Sequence, residues 1–134
     1  MINTDHLSRC IETLEASYRS LNYAEEDSIE YEMYRNSLVK GFEITLEQTG
    51  KLLKKKITPY FATKKEVDKL TFKDIFRHAN KFGLITSKET ARWFEYRDNR
   101  NITAHDYGIG FAEETIGLAE SLIEDAKKIL EIIK

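Results

Sequence analysis

Apolar residues recur every three or four positions through most of the chain, which is the period of an amphipathic helix. In the first half, this spacing predicts one helix over residues 4–22 and a long second helix over residues 28–56. The first stripe is Leu7, Cys10, Ile11, Leu14, Tyr18 and Leu21, and the second is Tyr31, Tyr34, Leu38, Phe42, Leu46, Thr49, Leu52 and Leu53. Asp27, with a glutamate three residues later, is predicted to cap the second helix.

The second half of the chain predicts further helices and no strand. The segment ITPYFATKKEVDKL holds the only proline and is predicted to be a connecting loop with at most one turn of helix. Thr71 starts a short helix that Gly83 ends, and Thr86 caps a helix that leads into residues 96–110. A last helix is predicted over residues 111–133. The pattern therefore favours an all-α, up-and-down bundle of four or five helices.

Composition limits the class of protein to a single small domain. A chain of 134 residues is the length of one domain, so residues 1–134 are expected to form one helical bundle. The N-terminus has no signal-peptide pattern and no apolar run is long enough to cross a membrane, so a soluble cytoplasmic protein is expected. Cys10 is the only cysteine, so the sequence has no pair of cysteines at metal-ligand spacing. It also has no glycine-rich phosphate loop, and no cofactor is expected.

Charge is unevenly distributed along a chain whose net charge is only -2. Residues 1–50 hold four Lys or Arg against ten Asp or Glu, whereas residues 51–81 hold ten against three. A basic segment between acidic flanks is compatible with binding of a polyanion. A solvated, lysine-rich surface explains the same composition.

The segment YRDNRNITAHDYGIG, residues 96–110, concentrates the groups that could perform chemistry. If the preceding helix continues through it, residues four apart share a face, so Arg97, Asn101 and His105 form one stripe flanked by Arg100. Tyr107 falls where the following glycines must end the helix. A guanidinium, a carboxamide and an imidazole together suit a phosphodiester, because arginine binds phosphate oxygens and histidine transfers protons near neutral pH.

The reaction that fits this set is metal-independent RNA cleavage, in which a base and an acid act on either side of the phosphate. One chain supplies a single well-placed histidine, His105, so the reaction predicts a homodimer whose two copies form a composite cleft. The alternative is structural. In that interpretation Arg97 and Arg100 pair with nearby acidic residues (Glu95, Asp98 or Asp106), and the histidine caps a helix end.

The chain also resembles a known family. RNITAHDY fits the Arg-x4-His-x-Tyr motif of HEPN-domain proteins, in the branch called nucleotidyltransferase substrate-binding proteins or HepT-type toxins. KGFEITLEQTGKLLKKKI resembles the long second helix of that family, and FRHANKFGLITSKETARWFEYRDNRNITAHDY resembles its run into the motif. The sequence differs from the family at Gly50, where relatives commonly carry a tryptophan, so the packing of that helix is expected to differ. It also has Gly108 where an acidic residue is frequent.

The resemblance implies a helical-bundle dimer that is the toxin of a type VII toxin–antitoxin pair. Arg100 and His105 would be the ribonuclease residues, with Asn101 and Arg97 as supporting residues. Tyr107 would be the hydroxyl to which a small cognate nucleotidyltransferase, the antitoxin, attaches AMP. The alternative is a non-catalytic subunit that presents a nucleotide or other substrate to a two-component nucleotidyltransferase.

The basic segment fits the ribonuclease interpretation, as an electrostatic track for the RNA backbone. Its densest part is the run Lys54, Lys55 and Lys56, which is predicted to bind RNA.

Overall fold

The computed structural model describes residues 1–103 and 109–134, and within them the side chains of residues 1–100 and 112–134. All regular structure in these ranges is helical, which confirms the all-α prediction. The helices are α1 (Asp5–Tyr23), α2 (Ile29–Ile57), α3 (Lys64–Asp68), α4 (Phe72–Lys81), α5 (Ser87–Thr103) and α6 (Ile109–Ile133), with a 3-10 turn at Thr58–Tyr60. The described part thus has six helices rather than four or five, because the predicted connecting loop contains the 3-10 turn and α3.

The N-cap of the second helix lies one residue later than predicted. Ser28, not Asp27, is the N-cap, and its hydroxyl oxygen accepts a hydrogen bond from the backbone N–H of Tyr31 at 3.0 Å. Serine and aspartate are nearly equal as N-caps, so two adjacent candidates leave the first residue undetermined by sequence.

The caps of α4 and α5 are confirmed. Thr71 and Asp74 form a reciprocal capping box at the start of α4, and Thr86 forms another with the glutamate three residues on. Gly83 ends α4 with φ of 79°, a left-handed conformation that glycine adopts without a steric penalty. The next N–H, of Leu84, reaches back to the carbonyl of Ala79 at 2.9 Å, which completes a Schellman motif.

The core forms around α2, which packs most extensively against α1 and α6 and also contacts α4 and α5. The predicted stripe of α2 is buried from Leu38 onward, whereas Tyr31 and Tyr34 are only half-buried at its start. The largest fully buried side chains are Trp93, Tyr96, Phe42, Phe76 and several leucines. This arrangement places Arg97 and Arg100, at the exposed edge of α5, beside the outer face of α2.

Candidate functional site

The helix α5 enters the candidate site with one face fixed in the core. Trp93 and Tyr96 are fully buried on that face, and their rings meet edge to face at 5.3 Å. Arg97 and Arg100 lie at the edge of the same helix and retain 25% and 30% of their side-chain exposure. Both arginines can therefore meet solvent while their backbone is held by the core.

A buried polar cluster ties α5 to α6. Asp125 is almost fully buried and accepts two hydrogen bonds from the Arg92 guanidinium, both at 2.8 Å. The Tyr96 hydroxyl donates to the same carboxylate and also contacts the Ser121 hydroxyl. Burial, together with the bond to Asp125, raises the pKa of Tyr96 well above its ordinary value, so it stays protonated. The hydrogen bonds to Asp125 likewise raise the pKa of Arg92, which stays charged.

A second tie lies one residue before Arg100. The Thr115 hydroxyl of α6 donates a hydrogen bond to the Asn99 side-chain oxygen at 3.1 Å, and both side chains are buried. The two helices that flank residues 104–108 are therefore joined at two levels, first by Asp125 and then by Asn99. These ties position the last described turn of α5.

Two glutamates of α2 hold the two arginines of α5. Arg97 Nη1 donates to Glu47 Oε1 at 2.8 Å, and Arg100 Nε forms an ion pair with the same oxygen at 3.2 Å. Arg100 Nη2 also donates to Glu43 Oε1 at 3.0 Å. The Arg97 guanidinium lies over the ring of Phe72, 4.7 Å from its centroid. We call Glu43, Glu47, Arg97 and Arg100 the Arg–Glu cluster.

The remaining predicted site residues have different places. His105 and Tyr107, and the side chain of Asn101, lie outside the described residues. Lys54 is half-buried and forms an ion pair with Asp68 at 3.2 Å. Lys55 is exposed on a different side of α2, and Lys56 is half-exposed.

The structural alternative named the wrong acidic partner for Arg97. Its partner is Glu47 on α2, whereas the neighbouring Asp98 pairs with Lys73 of α4 at 2.6 Å. The described partners of Arg100 are also on α2, and Asp106 lies outside the described residues.

Sequence reasoning missed Glu43 and Glu47 as members of the site. A signal was available, because the two are four residues apart on one face of a helix and Glu43 falls in the stretch KGFE that carries the family resemblance. Their partners, however, are 57 and 50 residues away along the chain.

A groove on the surface between α2, α4 and α5 adjoins the Arg–Glu cluster. It consists of two cavities of about 560 Å³ and 390 Å³ that share the side chains of Phe72 and Arg97. The larger is lined by Thr71, Phe72, Lys73, Asp74, Arg77 and Arg97. The smaller is lined by Glu47, Gln48, Gly50, Lys51, Lys54, Phe72, Ile75 and Arg97. We call the two together the Arg97 groove.

The floor of this groove depends on Gly50. A Cβ added at that position would lie 2.7 Å from the Phe72 ring, which is closer than side chains approach one another. Phe72 thus fills the space that a side chain at position 50 would occupy. A side chain at position 50 would therefore require a different packing of α2 against Phe72.

The model of the family described as "nucleotidyltransferase substrate binding protein like" matches residues 5–134. The chain belongs to this family. The family resemblance predicted from the sequence is therefore confirmed, and it extends over nearly the whole chain.

The chain is similar to a protein described as the probable ribonuclease HepT of Haemophilus influenzae. The two are 29% identical over 96 residues, and the match covers 72% of this chain and 64% of that protein. The chain thus aligns with somewhat less than two thirds of the relative's length.

Solved structures support the fold. A Haemophilus influenzae protein described as showing the fold of a nucleotidyltransferase substrate-binding domain has a TM-score of 0.81 at 24% identity, with 98% of both chains covered. A tri-AMPylated HEPN toxin of Shewanella oneidensis, solved in complex with its MNT antitoxin, has a TM-score of 0.66 at 15% identity, with 98% of both chains covered. At these identities the likeness establishes a common helical bundle for this family member.

None of the helices in the two described ranges is long and apolar enough to cross a bilayer.

Proposed function

We propose that this family member is the HEPN toxin of a type VII toxin–antitoxin pair and that it is a metal-independent endoribonuclease. The observation that carries the proposal is the Arg–Glu cluster. It holds Arg100, the first residue of the Arg-x4-His-x-Tyr motif, at a half-exposed position beside a second guanidinium. Two adjacent guanidinium groups form a site for phosphate oxygens, because each offers a planar fork of donors that keeps its charge. The motif and the relative described as a probable ribonuclease support the same reaction.

The proposed mechanism uses the 2′-hydroxyl of the RNA as the nucleophile. A base removes the proton from that hydroxyl, the 2′-oxygen attacks the phosphorus, and the bond to the 5′-oxygen breaks as an acid protonates the leaving oxygen. The products are a 2′,3′-cyclic phosphate and a 5′-hydroxyl. His105 would supply the proton transfer, Arg100 would stabilise the negative charge of the phosphorane, and Asn101 would support them.

A homodimer would supply both the acid and the base from two copies of His105. Exposed apolar residues on α2 support this assembly: Ile29, Met33 and Ile44 are 73%, 60% and 37% exposed. Their spacing places all three, with Glu47, on one stripe of the helix. Three exposed apolar side chains on a stripe that also carries polar residues and leads to the Arg–Glu cluster fit an isologous interface with the cleft at its end.

We expect the purified protein to cleave single-stranded RNA in the presence of EDTA and to leave 2′,3′-cyclic phosphate ends. His105→Ala should lower the cleavage rate by about a hundredfold to ten-thousandfold, the range lost with a general acid or base. The measurement is product analysis by gel and mass spectrometry, with the dimer fraction of both proteins followed by light scattering.

Cleavage that survives in His105→Ala would contradict the proposed mechanism. Nucleotide binding without any cleavage by the wild type would instead support the non-catalytic subunit of a two-component nucleotidyltransferase.

The proposal includes regulation by a cognate small nucleotidyltransferase that transfers AMP to Tyr107. The transfer joins the tyrosine oxygen to the α-phosphorus of ATP and releases pyrophosphate. The AMPylated toxin among the structural neighbours supports this chemistry in a similar bundle. Each added AMP would place negative charge and bulk two residues after His105, where the site must accept RNA phosphates.

We expect incubation of the protein with the cognate nucleotidyltransferase and ATP to raise the intact mass of the protein by whole multiples of one AMP. Tyr107→Phe should remove the first addition, because the phenolic oxygen is the proposed acceptor. The matched control is Tyr23→Phe, since Tyr23 is 87% exposed at the end of α1 and equally available to a non-selective enzyme. An unchanged mass shift in Tyr107→Phe, or its loss in Tyr23→Phe, would contradict the assignment.

A further inference from the structure

Five cations and two carboxylates line the Arg97 groove, in a chain whose net charge is -2. The cations are Lys51, Lys54, Lys73, Arg77 and Arg97, and the carboxylates are Glu47 and Asp74. A concave surface with such a surplus attracts anions more strongly than a flat one, because the low-dielectric walls focus the field. The lining of the groove therefore fits a polyanion.

The groove continues directly from the proposed reaction site. Arg97 Nη1 lies 2.8 Å and Arg100 Nε 3.2 Å from the same oxygen, Glu47 Oε1, so these nitrogens are at most the sum of those distances, 6.0 Å, apart. Consecutive phosphates of one nucleic-acid strand can span that separation. If Arg100 holds the phosphate that is cleaved, Arg97 can hold its neighbour.

Aromatic rings hold the groove's cations in place before any ligand arrives. The Arg97 guanidinium lies over Phe72, and the side chains of Arg77 and Lys73 lie over Phe94 at 5.0 Å and 5.4 Å from its centroid. A cation above a ring face is attracted by the ring's quadrupole, and less side-chain freedom remains to be lost on binding.

Three ion pairs of the groove are exposed enough to exchange. Asp98 and Asp68, the partners of Lys73 and Lys54, keep 55% and 51% of their side-chain exposure and do not line the groove. Arg77 pairs with Asp74 through one of its nitrogens and is itself 57% exposed. Exposed pairs of this kind contribute little, so a phosphate can replace or join the carboxylate at small cost.

We propose that the Arg97 groove is the subsite for the RNA phosphates that flank the cleaved bond. Arg97 contacts the phosphate next to the reacting one, and the strand occupies both ends of the groove, along Arg77 and Lys73 at one end and Lys51 and Lys54 at the other. The assignment rests on the proposed ribonuclease function and changes one of its details. Of the three lysines predicted from the sequence, only Lys54 lines the groove, and Lys55 and Lys56 do not.

The test uses Lys51→Gln and Arg77→Gln, one variant from each end of the groove, with Lys128→Gln as the matched control. Lys51 is exposed on α2. Lys128 is exposed on α6, outside the groove. The ligand is a fluorescent 2′-deoxy oligonucleotide, which lacks the attacking hydroxyl, and its affinity is measured over a range of salt concentrations.

Each groove variant should bind about threefold to tenfold more weakly and should lower the slope of log K against log salt by about 0.7, the value for one phosphate contact on a single strand. Lys128→Gln should change neither. Equal losses in Lys128→Gln, or none in the groove variants, would overturn the subsite. A loss in Lys55→Gln as large as that in Lys51→Gln would place the track along the original lysine run and also overturn it.

A kinetic comparison separates this inference from the proposed function. A dinucleoside monophosphate contains only the phosphate that is cleaved, so the groove variants should cleave it at the wild-type kcat/KM. For a long RNA, the KM of the groove variants should rise while kcat is unchanged. A fall in kcat for the dinucleotide would show a role in the reaction itself and contradict a flanking subsite. If the wild type cleaves neither substrate, the proposed function fails, and the binding measurement still decides the groove.

Discussion

Replacing Arg100 with alanine is expected to lower kcat/KM for RNA cleavage by about a thousandfold, the loss seen when a preorganised charge stabiliser is removed from a transition state. Arg100 is the motif arginine, and Glu43 and Glu47 fix its guanidinium. Arg100→Lys should recover only part of the rate, because an ammonium keeps the charge but not the planar fork. The measurement is steady-state cleavage of a defined RNA.

Stability provides the control for this substitution. Glu43 and Glu47 are 36% and 47% exposed, so both can be solvated once Arg100 is gone, and the free energy of unfolding should change by less than about 1 kcal/mol. The matched variant is Arg9→Ala, which removes a 77% exposed arginine with a glutamate partner in its own helix. If Arg100→Ala cleaves RNA at a rate within a few-fold of that of Arg9→Ala, Arg100 does not stabilise the charge on the reacting phosphate.

Replacing Asp125 with alanine is expected to lower the free energy of unfolding by about 3 kcal/mol, the lower end for breaking a buried ion pair, because the Arg92 side chain is 36% exposed and can be solvated. Asp125 is 2% exposed and accepts hydrogen bonds from both Arg92 and Tyr96. Without it, the buried Tyr96 hydroxyl loses an acceptor and Arg92 loses both of its bonds. Thermal unfolding should show a fall in Tm of about 10 °C for a chain of this size.

The comparison is Glu15→Ala, which breaks an ion pair that also joins α6 to another helix. Glu15 and Lys127 are 34% and 44% exposed, so their loss should cost less than about 1 kcal/mol. Equal costs for the two substitutions would mean that water reaches Asp125 and that the cluster does not tie α5 to α6. Because the tie precedes the motif on α5, Asp125→Ala should also reduce cleavage at temperatures where the protein stays folded.

The period of apolar residues predicted the helices because burial of one face decides where a helix forms. The predicted spans 4–22 and 28–56 differ by one residue at each end from α1 and α2. The cap of α2 was misplaced because neighbouring residues of equal capping strength compete locally. The extra helix α3 was missed because its five residues carry a single buried side chain, Val67, which is too little for a periodic signal.

The partners of the site's arginines could not be predicted from the sequence, and the reason is geometric. The sequence located Arg97 and Arg100, but it offered nearby acids as partners. Asp98 is adjacent to Arg97, and consecutive helical residues point about 100° apart, so it faces Lys73 on α4 instead. The true partner, Glu47, depends on which helix packs beside α5, and periodicity within one helix carries no information on that. The same 100° step separates Lys54 from Lys55 at the Arg97 groove.

The contact between Gly50 and Phe72 has a consequence for comparing members of the family. Phe72 occupies the space of a side chain at position 50, and the Arg97 guanidinium lies over the same ring. A relative with tryptophan at the position of Gly50 cannot keep a phenylalanine ring in this place, and its arginine loses that support. Positions 50, 72 and 97 should therefore vary together among relatives, although they belong to three different helices and are far apart along the chain.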